Sequence, residues 1–86
     1  MDRAMLERHL TIAQRHVDGG QGHIGRQESL IAELDRDGHD TGEAKNVLRT
    51  LRDTQRLHEQ DVERLLVELA KLSAGSKDTD VKAETR

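Results

Sequence analysis

The sequence predicts an all-α fold, an antiparallel two-helix hairpin of the coiled-coil kind. Three observations carry that expectation. The first half holds a heptad stripe of mostly aliphatic residues, the second half holds a stripe of equal length and period, and a stop–start signal separates them. The hairpin spans residues 1–75, as helix 2–37, turn 38–40 and helix 41–73. Residues 76–86 read as a disordered tail.

The first helix opens at Asp2, whose carboxylate suits an N-cap. Its stripe runs Leu6, Leu10, Ala13, Val17, Gly20, Ile24, Gln27, Ile31 and Leu34, in alternating steps of four and three. Gly19, Gly20, Gly22 and Gly25 interrupt it, and a glycine inside a helix costs roughly 0.8–1 kcal/mol relative to alanine. A break at 18–22 would give a three-helix bundle instead. Heptad phase nevertheless survives the glycines, from Val17 to Ile24 and from His16 to His23, and a loop has no reason to preserve it. One continuous helix is therefore the leading expectation, with Gly20 facing His58 across the seam.

The turn is written in Asp35 to Glu43. Gly38 suits the left-handed residue just past a helix C-terminus, Asp40 can cap the next helix, and Glu43 can complete a capping box. Beyond it the stripe resumes as Ala44, Leu48, Leu51, Gln55, His58, Val62, Leu65, Leu69 and Leu72. Folded at Gly38, the stripes meet rung for rung, with Leu34 on Ala44, Ile24 on Gln55, Val17 on Val62 and Leu6 on Leu72. The flanking positions agree, since Asp35 meets Lys45, Glu28 meets Arg52, His16 meets Asp61, His9 meets Glu68 and Leu30 meets Val47. No like-charged pair arises. Each such exposed pair contributes about 0–1 kcal/mol, so their value is in fixing register.

Composition narrows the function classes. The chain has 86 residues, no aromatic residue among Phe, Tyr and Trp, no Pro and no Cys, so its core is aliphatic and thin and thiol chemistry is excluded. Acidic residues outnumber basic ones by 17 to 14, for a net charge of −3, which argues against nucleic acid as a partner. Without a signal-like or membrane-spanning run the expectation is a cytoplasmic protein with no membrane partner.

Three constellations compete with a purely structural reading. His9, His16 and His23 lie seven apart on one flank, too far along the axis for one metal ion, so no metal or cofactor is expected. Facing carboxylates, they could sense pH near neutrality. Gln27, Gln55 and His58 sit at core positions, either as a polar ligand layer or as a device that rejects misaligned pairings. No nucleophile–base arrangement stands out, and a two-helix hairpin encloses no cavity, so no catalytic residue is assigned and the chain is expected not to be an enzyme. The surplus apolar residues outside the stripes, Met5, Ile12, Leu57, Leu66 and Ala70, mark an interaction surface, with Leu66 opposite Ile12.

The run His16-Val17 to His23-Ile24-Gly25-Arg26-Gln27, then Leu30 to Leu34, Asp37-Gly38-His39-Asp40-Thr41 and Thr54-Gln55-Arg56-Leu57-His58, resembles short uncharacterised helical-hairpin proteins of alphaproteobacteria. This chain is richer in glycine over 19–25 than that pattern. The resemblance covers most of residues 4–69 and implies a bacterial origin and a helical hairpin, with no activity to carry over. The expected function is a non-catalytic helical interaction or assembly module, a homo-oligomer or a binder of a partner helix, most simply as a four-helix bundle of two hairpins. The alternative is a ligand- or pH-sensing protein using the histidine flank and the Gln27, Gln55 and His58 layer.

Overall fold

In the computed structural model the chain forms two helices, α1 (Arg3–Arg36) and α2 (Gly42–Glu84), which pack against each other as a hairpin. The structure describes residues 2–84, with side chains described as far as Ala74. The molecule is a rod of 75 × 18 × 16 Å.

α1 begins as its sequence dictates. Asp2 has extended backbone, and its Oδ1 accepts from the Met5 N–H at 2.8 Å, satisfying one of the N–H groups that a helix start leaves unpaired. The helix then runs unbroken through all four glycines, which excludes a break at 18–22.

The turn is a Schellman motif. His39 N–H donates to the Leu34 carbonyl at 2.9 Å and Gly38 N–H to the Asp35 carbonyl at 3.1 Å, with Gly38 at a φ of 74°. α2 starts one residue later than the expected 41. Asp40 Oδ1 accepts from the Gly42 N–H at 2.9 Å, and the Thr41 carbonyl takes the first intrahelical bond from Lys45.

Along the seam the stripe positions are those that lose solvent. Leu6, Ala13, Leu48 and Leu65 are buried apolar residues and Gln55 is a buried polar one, while the other stripe positions are half-buried except Leu72. Leu10, Val62 and Leu69 pack on the cluster of Leu6, Ala13 and Leu65 near the open end. The Glu28–Arg52 pair expected across the seam forms at 2.9 Å.

One expectation is corrected here. Leu72, assigned to the core opposite Leu6, is 37 % exposed, and the rod closes at that level through Arg3 Nη2 donating to Ser73 Oγ at 2.7 Å. α2 runs as helix to Glu84, and residues 85–86 lie outside the described residues.

Candidate functional site

The polar positions of the seam do not converge into one layer. Gln55 Nε2 donates to the Val17 carbonyl at 2.8 Å, so the amide bonds the opposing backbone. Its Oε1 is buried with no hydrogen-bond partner and occupies the space where a Cβ on Gly20 would lie. Gln27 Nε2 donates to the Ala44 carbonyl at 2.9 Å, nearer the turn. His58 instead meets His16, ring centroids 4.9 Å apart and planes tilted by 51°. Gln27, Gln55 and His58, which the sequence offers as a polar ligand layer or as a register device, make three separate cross-helix contacts.

Gly20 accordingly faces Gln55, where heptad counting placed His58. The physical reason is space. Gly20 is the one stripe position without a Cβ, so it alone admits a long buried amide to within reach of a helical carbonyl, which keeps a second lone pair for it. The exposed Gly19 and Gly25 would meet nothing within 4 Å if given a Cβ.

The histidine flank also differs from expectation. Asp61 and Glu68, assigned to His16 and His9, are held by Arg64 on their own helix, at 3.4 and 3.3 Å. Among the described residues neither histidine forms an ion pair with a carboxylate, because Arg64 reaches both acids at i,i+3 and i,i+4 spacing without crossing the seam. Arg26 Nη2 donates to His23 Nδ1 at 2.9 Å. No group of three or more His, Cys, Asp or Glu among the described residues is placed to hold a metal ion. Between the helices on this flank lies an open groove of about 250 Å³, bordered by His16, Gly19, Gly20, His23, Thr54 and His58.

The surplus apolar residues remain on the surface. Met5, Ile12, Leu57 and Leu66 are 40, 49, 64 and 48 % exposed, and Ala70 is exposed beside them. Leu30 and Val47, which the sequence reading paired with each other, stay 42 and 48 % exposed, and Val67 is 46 % exposed. Helical phase divides this set between two flanks. Ile12 shares its edge with His16, Gly19 and His23, and Met5, Leu30, Val47 and Leu57 belong to the same flank. Leu66 belongs to the other, with Gln14 and Glu59, so it does not face Ile12 as expected. Its position relative to the helix axis, and not its level along the rod, decides this.

No helix among the described residues is long and apolar enough to cross a membrane. Compared with known protein families, with curated proteins and with solved structures, the chain matches none.

Proposed function

We propose that this chain is a non-catalytic helical assembly module of the cytoplasm, which works by laying an apolar flank on a second copy of itself or on a partner helix. The observation that carries the reading is an imbalance between core and surface. Among the described residues four apolar side chains are buried, whereas eight large ones are more than a third exposed. A chain of this size with so thin a core gains stability from association, and contiguous exposed apolar surface is where association occurs. Sedimentation equilibrium of the full chain across concentration tests it. The expected result is a mass that rises to an integral multiple of 9.7 kDa. A chain that sediments as a monomer throughout, and whose native host yields no helical partner on affinity capture, would not be such a module.

A second reading, a ligand sensor on the histidine flank, draws on the open groove and on the unpartnered Gln55 Oε1 inside the seam. Its test is titration with a small-molecule library or Zn²⁺ while following the ring signals of His16, His23 and His58 by NMR. Saturable shifts confined to those rings would favour it over assembly.

A further inference from the structure

We infer that the histidine flank is the interface with a second copy of this chain, and that the two hairpins stack on it with their turns at the same end. The inference rests on the assembly reading above and narrows it to one face, one occupant and one symmetry.

The choice of face follows from what each flank would lose on desolvation. On the opposite flank lie Glu28, Asp35, Lys45, Arg52 and Glu59, backed by Arg49 and Arg56 in the next row. Removing that many ions from water is expensive unless every one is paired again. The α1 edge of the histidine flank reads Met5, His9, Ile12, His16, Gly19, His23, Arg26, Leu30 and Glu33, so its one carboxylate stands at the turn end. The α2 edge adds Val47, Thr54 and Leu57, and its acids Asp61 and Glu68 are already compensated by Arg64. Leu57, the most exposed of the large apolar residues among those described, stands on this flank, and the open groove at its centre offers a recess. The face from Met5 to Glu33 is roughly 42 Å long at 1.5 Å per residue. On a rod 18 Å wide it offers roughly 750 Å² per copy, close to the usual size of a stable interface.

The orientation follows from complementarity under two-fold symmetry, in which the same patch serves both copies. With the axis along the rod, α1 of one copy lies on α2 of the other at the same level. Leu30 then covers the partner's Val47 and Val47 covers the partner's Leu30, closing one apolar layer near the turns. Leu57 comes down on the bare backbone at the partner's Gly19, where a Cβ would meet nothing within 4 Å in the single hairpin. Asp61 and Glu68 approach the partner's His16 and His9. Turning the second copy end for end instead sets Val47 against Glu68 and Leu30 against His9, an apolar group on a polar one in each case.

The test uses the full chain. Sedimentation equilibrium is run on wild type, Ile12→Glu, Leu57→Glu and, on the other flank, Leu66→Glu, with far-UV circular dichroism to follow helicity. The dimer dissociation constant is expected to rise at least about tenfold for the first two, as for a central apolar contact, and to stay within about twofold for Leu66→Glu, as for a peripheral one. A spin label on His39→Cys, whose exposed side chain stands in the turn, reads orientation without disturbing the flank or the Asp40 cap. Turns at the same end place the two labels roughly 20–30 Å apart, about two helix diameters. An end-for-end dimer places them roughly 60 Å apart, the axial length of about 40 helical residues, and that result overturns the orientation. A dimer weakened by Leu66→Glu alone overturns the face while leaving the assembly reading intact. A monomer at every concentration overturns the inference and leaves assembly only its partner-helix form.

Discussion

Gly20 and Gln55 show how one missing Cβ can set a contact. A helix-interior glycine loses stability through backbone entropy, yet here its bare Cα is where the Gln55 amide lies, one oxygen against Gly20 and one N–H on the Val17 carbonyl. Gly20→Ala gains helix propensity but evicts a buried amide and strips its bond. The expected net is a loss of no more than about 0.5 kcal/mol, since the clash falls on the end of a flexible side chain that can swing out to water, and the lost bond to Val17 slightly outweighs the propensity gained. Gly25→Ala, with open space around its Cβ and an exposed outer position, is expected to gain about 0.5–1 kcal/mol. Urea denaturation of the two variants checks both signs. A Gly20→Ala that stabilises as much as Gly25→Ala would mean that Gln55 repacks freely and is not held by the glycine.

At the scale of the elements, the turn and the helix starts are where local chemistry decides geometry. Gly38 has a φ of 74°, where a Cβ clashes with the following carbonyl. Gly38→Ala is therefore expected to lower stability by about 1–2 kcal/mol, while Gly38→Asn, better tolerated in that region, should recover part of it. Thermal unfolding compares them. Asp2→Ala removes the cap on Met5 and is expected to cost about 0.5–1 kcal/mol. The loss should be visible as faster amide exchange confined to the first turn of α1. The Glu28–Arg52 pair crosses the seam but is about half exposed on both sides, so reversing both charges together should change stability by less than about 0.5 kcal/mol.

The whole molecule is a rod two helices thick, and such a rod cannot bury both sides of either helix. Its stripes bury four apolar residues well and leave large aliphatic side chains on two flanks. If the histidine flank closes on a second copy, thermal stability depends on protein concentration by mass action. The melting temperature is expected to rise by several degrees over a hundredfold increase in concentration, and Leu57→Glu to abolish that rise. A concentration-independent melting temperature in the wild type would locate all of the stability within one hairpin.

Most of this fold was legible in the sequence, because its determinants are local and periodic. Stripe spacing selects helix over strand, preserved heptad phase carries α1 through the glycines, and Gly38 with Asp40 marks the reversal. Each is a property of neighbouring residues. The contacts between helices were legible only in part. Charge matching found Glu28 with Arg52, but it also paired His16 with Asp61 and His9 with Glu68, where Arg64 on the same helix reaches the acids first. Counting rungs set Gly20 against His58 and assembled Gln27, Gln55 and His58 into one layer. Side-chain reach and the volume left by a single absent Cβ govern those contacts, and neither is encoded in spacing. The sequence by itself thus determined two helices, their phases and the place of the turn. Only the tertiary structure decided that the Gln55 amide enters the seam at Gly20, and that Leu66 and Ile12 look out from different flanks. Periodicity specifies which residues share a face, whereas packing of two faces depends on three-dimensional shape.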